Sequence, residues 1–310
     1  MGILSNLKNF GINIESDIYE ENKSKEATAE AARLAEKEAA EAKRKAEEEK
    51  KKKLNDEQTY LLAKSYTCPV CNKPFKSLAV KANRARVVDN DIDMRPIYEP
   101  VDMLKYTIVS CPYCGYSALT RSFPNITVNQ QKLVKEKISK NFLSKPEDNE
   151  RIIYTYEEAL ERYELAFATA MAITAKTSEK AYLCLSMSWL VRGERKNTLT
   201  GDEYDYIKMY DDYKSTEKEL QQKALEGFLY AVQTENFPMC GSLDQQTVDY
   251  IIAAMYYKTR EFDKSMKILS EVIVSASTNK RVKEKARDLK ERILAIKASN
   301  NSPSDEEMGD

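Results

Sequence analysis

The sequence predicts a mainly α-helical protein with one small β module, in which the helices form an irregular array of α-hairpins. Two observations predict the module: Cys-Pro-x-Cys motifs at residues 68–71 and 111–114, and short β-type runs between them, such as residues 106–109. A third predicts the array, because apolar residues recur with helical spacing from residue 127 to about residue 298. A chain of 310 residues can form one large or two modest domains.

The composition is typical of a soluble, charge-rich protein. Apolar residues make up 42% and charged residues 32%, with a formal net charge of −1. This balance lacks the basic excess of a dedicated nucleic-acid-binding protein. The sequence contains no apolar run of about 18 residues that could span a membrane and no pattern of a secretion signal, so we expect a cytoplasmic protein.

Histidine is absent from the chain. This excludes Ser-His-Asp and Cys-His activation of a nucleophile, and zinc hydrolase sites that use histidine ligands. No other residue pattern amounts to an active site. We therefore expect a protein that is not an enzyme.

Two segments are predicted to precede the β module. Residues 1–21 form a short segment with scattered apolar residues, which either docks as an amphipathic segment or is disordered. Residues 22–60 form a charged helical spacer, because residues 22–54 are almost wholly Ala, Glu, Lys and Arg. Pairs such as Glu41 and Lys45 have the favourable i,i+4 orientation. Large apolar side chains are too few for a coiled coil.

Residues 61–124 are predicted to form the β module, with metal ligands at the two motifs. In a chain that is not exported, two such pairs indicate a metal site rather than disulfides. Each pair can form a knuckle, a tight turn that places two thiolates on one edge of a tetrahedron. The predicted ligands are Cys68, Cys71, Cys111 and Cys114.

The residues around these cysteines agree with a knuckle. Proline fixes φ inside each motif, and Asn72 and Gly115, which follow the motifs, tolerate the positive φ that is needed there. Four thiolates leave no position open for water or substrate, which is typical of structural zinc. The predicted cofactor is one structural Zn2+, in a zinc-ribbon-like module. A rubredoxin-like iron centre and a redox dithiol remain open.

Two further features of the module resemble binding sites. Asp89, Asp91 and Asp93 resemble a calcium loop, but Met94 and Pro100 stand where an EF-hand needs glycine and glutamate, so a polar β-turn is predicted. Five basic residues could contact nucleic acid, although no interleaved aromatic residues support base stacking, and a solvated surface is the preferred interpretation. They are Lys73, Lys76, Lys81, Arg84 and Arg86.

Residues 125–298 are predicted to form a helical domain with an internal repeat. Three segments share small and large residues spaced four and then three apart: Ala159, Tyr163, Ala166; Ala224, Phe228, Ala231; and Ser265, Leu269, Val272. This spacing resembles the second helix of a tetratricopeptide repeat. We predict an irregular array of about three α-hairpins, closed by an amphipathic helix. Residues 299–310 form an acidic tail that is predicted to be disordered.

Two tyrosines are predicted to contact a partner. Tyr250 and Tyr257 lie seven residues apart on one helical face, and by resemblance that face lines the groove of a repeat array. Most other aromatic residues, including Trp189, are assigned to the core. Cys184 and Cys240 are predicted to be inert packing thiols rather than nucleophiles.

Several motifs together resemble one bacterial family. They are Cys68-Pro-x-Cys71, Arg86 with Asp91-x-Asp93, Pro96-x-Tyr98, Leu104-x-Tyr106 and Cys111-Pro-Tyr-Cys-Gly-Tyr-Ser-Ala118. Over about residues 60–280, the chain is similar to the family called domain of unknown function 2225. The resemblance implies a zinc-ribbon-like head followed by repeat-like helices, and it implies no activity.

Taken together, these features predict a cytoplasmic, non-catalytic, zinc-stabilised scaffold or adaptor whose helical array binds a protein or peptide. Two alternatives remain open: a nucleic-acid-associated protein that uses the basic face of the module, and a thiol-based redox or metal sensor. The sequence does not identify the partner or the oligomeric state.

Overall fold

The protein is known from a computed structural model that describes residues 37, 39–41, 43–45, 57–144, 152–198 and 203–299. The predicted N-terminal segment, most of the spacer, and the acidic tail from residue 300 lie outside these ranges. The described spacer residues between 37 and 45 are helical, and Glu41 and Lys45 form an i,i+4 ion pair with 3.0 Å between Oε1 and Nζ. None of the described helices is long and apolar enough to cross a membrane.

The β module consists of three two-stranded antiparallel hairpins. Their strands are β1 (Leu61–Thr67) with β2 (Pro74–Val80), β3 (Arg86–Asn90) with β4 (Pro96–Glu99), and β5 (Ile108–Ser110) with β6 (Ser117–Leu119). A short 3-10 helix, Met103–Tyr106, precedes β5. Each cysteine motif forms the turn of a hairpin, the first between β1 and β2 and the second between β5 and β6.

The remaining described chain is almost entirely helical, which confirms the predicted class of mainly α with a small β module. The helices are α1 (Val128–Val134), continued by a π-helical turn (Lys135–Ser139), α2 (Tyr156–Ala172), α3 (Thr177–Thr198), α4 (Glu203–Thr234), α5 (Gln245–Lys258), α6 (Phe262–Val274) and α7 (Lys280–Ser299). Helix α2 begins with a capping box, in which Thr155 Oγ1 accepts from the Glu158 N–H and the Glu158 carboxylate accepts from the Thr155 N–H.

Helices that follow one another in the chain pack against each other. Helix α3 pairs with α4, α5 pairs with α6, and α7 packs against both α5 and α6. Gly227 permits the close approach of α4 to α3, because a Cβ there would lie 2.8 Å from the Cβ of Ala181. The β5–β6 hairpin and the 3-10 helix pack on α2. All nine residues of the predicted repeat spacing are buried, on α2, α4 and α6. Their origin in a repeat remains a prediction.

A buried ionic cluster anchors the β3–β4 turn to the helices. Arg192 of α3 is fully buried, and its guanidinium donates to Asp91 at 2.8 Å, to Asp93 at 2.6 Å and to Glu217 of α4 at 2.7 Å. Burial alone would raise the pKa of Asp93. The charges of Arg192 and Lys258 outweigh burial and hold this pKa well below its usual range. The predicted polar turn therefore carries buried carboxylates that bind an arginine from a distant helix.

The same turn covers the face that was predicted to bind a partner. Ile92 and Met94 pack against the hydrophobic cluster of α5, α6 and α7, and the Tyr250 hydroxyl donates to the Ile92 carbonyl at 2.9 Å. Tyr250 is 2% exposed and Tyr257 is fully buried. This burial contradicts the predicted partner contact. The physical reason is that the protein's own turn provides the apolar surface and the hydrogen-bond acceptor that Tyr250 needs.

Replacing Arg192 with methionine should lower the free energy of unfolding by about 3–5 kcal/mol. The substitution leaves three buried carboxylates, those of Asp91, Asp93 and Glu217, without their common counter-charge. Urea denaturation followed by circular dichroism measures the change. Arg287→Met, at an exposed position of α7, is the matched control and should change stability by less than about 0.5 kcal/mol. Equal effects of the two substitutions would contradict the role of the cluster.

Candidate metal centre

The four predicted cysteine ligands meet at one point, although they come from two separate hairpins. Their Sγ atoms all lie within 4.8 Å of one another. The Sγ atoms of Cys68 and Cys114 are 3.6 Å apart, and those of Cys71 and Cys111 are also 3.6 Å apart. A tetrahedral site with zinc–sulfur bonds of about 2.3 Å has sulfur–sulfur distances of about 3.8 Å. The cluster therefore has the size to hold one such ion.

The two cysteine turns have matching backbone geometry. The N–H of Asn72 donates to the carbonyl of Cys68 at 2.8 Å, and the N–H of Gly115 donates to the carbonyl of Cys111 at 3.0 Å. In both turns the first cysteine donates its own N–H to the carbonyl five residues later, at 3.0 and 2.9 Å. Asn72 has φ 58° and Gly115 has φ 75°. The positive φ predicted at both positions is confirmed.

The cluster is buried under aromatic side chains. Cys68 and Cys111 are fully buried, Cys114 is 6% exposed, and Cys71 is partly exposed. Phe75 of β2 and Phe123 pack edge to face in the same hydrophobic cluster, with ring centroids 5.9 Å apart. This apolar shell limits the access of water to the sulfur atoms.

The segment that follows the module covers the second cysteine turn. Ser139 of the π-helical turn donates its hydroxyl to the carbonyl of Cys114 at 2.8 Å. The ring of Phe142 lies directly over Gly115, so that a Cβ on that glycine would be 2.7 Å from the ring. Val134 at the end of α1 completes the apolar cluster around the sulfurs. Sequence reasoning did not find these contacts, because nothing in residues 128–144 carries a metal-site signal.

The electrostatics of four adjacent thiols favours a bound cation. Hydrogen bonds from the thiols of Cys111 and Cys114 lower the pKa of Cys68 to about 4. The reverse holds for Cys114, whose pKa is raised because its thiol donates to Cys111 and Cys68 and is buried. A first thiolate thus keeps a neighbouring thiol protonated. A central divalent cation would reduce the repulsion between the thiolates and so allow all four to ionise.

The arrangement fits a metal site and does not fit disulfides. All six cysteines of the chain are free thiols, and sulfur atoms 3.6 Å apart are far beyond the disulfide bond length of about 2.05 Å. Four thiolate donors suit zinc and iron alike. The geometry therefore supports a metal site without identifying the metal.

The other two cysteines lie away from this cluster, in the helical core. Cys184 is 5% exposed and Cys240 is 6% exposed. Burial raises the pKa of Cys184 to about 11 and that of Cys240 to about 12, so both are neutral thiols at pH 7. Trp189 is also in the core, edge to face with Tyr182. The five basic residues considered above for nucleic-acid contact are all exposed: Lys73, Lys76, Lys81, Arg84 and Arg86.

Comparison with known proteins returns one family. A model of the family described as "Uncharacterized protein conserved in bacteria (DUF2225)" matches residues 61–293, from the first strand of the β module into α7. No curated protein and no solved structure matches the chain. The match spans both cysteine turns, the β3–β4 turn and Arg192.

Replacing Gly115 with alanine should destabilise the metal centre by about 1–3 kcal/mol. A side chain there must adopt positive φ and must also displace the ring of Phe142. Urea denaturation of the metal-loaded protein measures the loss. Asn72→Gly, at the equivalent position of the first turn, is the control and should leave stability unchanged or raise it, because glycine adopts positive φ without strain. A Gly115→Ala protein as stable as the parent would contradict the knuckle geometry.

Proposed function

The chain belongs to the DUF2225 family of uncharacterized bacterial proteins, and on that premise we propose that it is a non-catalytic scaffold stabilised by one structural zinc ion. In this proposal the helical array binds a protein or peptide. The observation that carries the proposal is the closed cluster of Cys68, Cys71, Cys111 and Cys114, formed by two matching turns. A catalytic zinc site keeps a coordination position for water, whereas four thiolates fill the shell.

The location of the cluster supports a structural role. Zinc binding contributes on the order of 10 kcal/mol to the folding of isolated zinc-finger peptides at neutral pH. Here it would tie together two hairpins, one of which packs directly on α2. The N–H of Ser117 on β6 donates to Thr169 Oγ1 at 3.4 Å, and the hydroxyls of Thr107 and Tyr163 form a hydrogen bond. Metal binding would therefore stabilise the position of the β5–β6 hairpin against α2.

The partner surface is proposed on the outer side of α4. Tyr230 is 59% exposed on this helix, and aromatic side chains are enriched in protein interfaces. It replaces the buried Tyr250 and Tyr257 as the proposed contact.

Purified protein should contain one zinc ion per chain, and replacing all four ligand cysteines with serine should abolish both metal binding and the cooperative unfolding of the module. Elemental analysis and thermal unfolding measure the two effects. The double variant Cys184→Ser/Cys240→Ser is the control for thiol loss and should retain the full zinc content. A metal-free protein, or a quadruple variant as stable as the parent, would contradict the proposal.

Red, iron-containing protein would favour the rubredoxin-like alternative, and reversible metal release under mild peroxide would favour the sensor.

Affinity capture with the full chain should enrich a defined set of proteins, and Tyr230→Ala should lose them because it removes an exposed aromatic contact. Val128→Ala, at an apolar residue of α1 that is 66% exposed, is the matched control and should retain them. Equal capture by both variants would contradict the surface assignment.

Salt-sensitive binding of generic DNA or RNA, lost on removal of the exposed basic residues, would favour the nucleic-acid alternative.

A further inference from the structure

A cavity of about 560 Å³ lies between the β5–β6 hairpin and helices α2 and α3. Its volume is within the range of small-molecule sites in proteins. One wall is formed by residues 116–119, which follow the second cysteine turn, and the opposite wall by α2 and the start of α3. The cavity is separate from the four sulfur atoms, none of which lines it.

The guanidinium of Arg121 lies at the edge of this cavity. The guanidinium of Arg121 lies over the ring of Tyr182, 5.6 Å from its centroid. On another side it is close to Gly241, where a Cβ would lie 3.5 Å from Arg121 Cζ. Within the described ranges, no carboxylate forms an ion pair with Arg121, and its side chain is exposed. A guanidinium positioned by an aromatic ring, with its N–H groups available, is arranged to receive a carboxylate or sulfonate.

The wall formed by α2 is mostly apolar. Ala166, Ala170 and Ile173 line it at helical spacing, and the small alanines leave the space that forms the cavity. Thr169 is 2% exposed and accepts the N–H of Ser117, which leaves its hydroxyl hydrogen to donate to a ligand. At the rim, Lys176 and Arg121 outnumber the single carboxylate of Glu179. The cavity thus combines an apolar wall with a net positive rim.

We propose that this cavity binds a small organic anion with an apolar body, whose acidic group pairs with the guanidinium of Arg121. Tyr182 orients the arginine, and the apolar part of the ligand packs against α2. This site goes beyond the proposed scaffold function, because neither the zinc ion nor the partner surface on α4 requires it.

The dye 1-anilinonaphthalene-8-sulfonate is a suitable probe, since it combines an aromatic body with one sulfonate. Trp189, the only tryptophan in the chain, lies 6.2 Å from Tyr182 between ring centroids. Excitation of Trp189 in the full-length, metal-loaded protein should therefore give energy transfer to the bound dye. N-phenyl-1-naphthylamine, the uncharged analogue, separates the apolar contribution from the contribution of the charge.

Arg121→Gln should weaken binding of the sulfonate dye about tenfold and leave binding of the uncharged analogue unchanged. Arg84→Gln, at an exposed arginine between β2 and β3, also removes one positive charge but should not alter the binding of either dye. Ala118→Phe, at a half-buried residue of the cavity wall, should weaken the binding of both dyes because the larger side chain fills part of the cavity. Arg121 is exposed, so its variant tests the site even if Ala118→Phe does not fold. Absence of saturable dye binding, or equal effects of Arg121→Gln and Arg84→Gln, would overturn the proposal.

Discussion

Four thiolates that converge from two hairpins are the constraint on which the β module depends. The hairpins β1–β2 and β5–β6 share no strand pairing, and β1–β2 presents most of its outer residues to solvent. The sulfur atoms join their turns, together with the cation–π contact of Lys73 with Tyr113 and the packing of Phe75 on Phe123. A divalent cation at this point would compensate the charge of the thiolates, since one thiolate opposes the ionisation of its neighbour Cys114. A bound metal ion would contribute folding free energy to a module that is too small for a large hydrophobic core.

The buried ionic cluster provides a second link between the module and the helices. Asp91 and Asp93 lie on the β3–β4 turn and accept hydrogen bonds from Arg192 of α3. Tyr250 of α5 donates a hydrogen bond to the same turn. The module is therefore held against the array at several places. They include β5–β6 on α2, this turn, and Ser77 of β2, which accepts a hydrogen bond from Arg162 of α2 at 2.9 Å. The turn covers Tyr250 and the apolar cluster of α5, α6 and α7, which is why the proposed partner surface lies on α4 instead.

The local geometry of the site could be predicted from the sequence, and the long-range contacts could not. The spacing of the cysteines and the residue types of Asn72 and Gly115 determine the turns within a few residues, and both positive φ values are confirmed. In contrast, the partners of Asp93 and Tyr250 lie far away in the chain. One signal was available for the ionic cluster: Arg192 directly follows Trp-Leu-Val in a strongly apolar helix, where an arginine must be paired. No pattern indicated that Tyr250 would bind the module's own turn.

We propose that one zinc ion is bound by the thiolates of Cys68, Cys71, Cys111 and Cys114 and by no other ligand. X-ray absorption at the zinc edge of the purified full-length protein measures the ligand atoms and their distances directly. We expect four sulfur ligands at about 2.3 Å, with no nitrogen or oxygen bound to the zinc ion. A shell that contains oxygen or nitrogen in place of a sulfur, or a protein without zinc absorption, would contradict it.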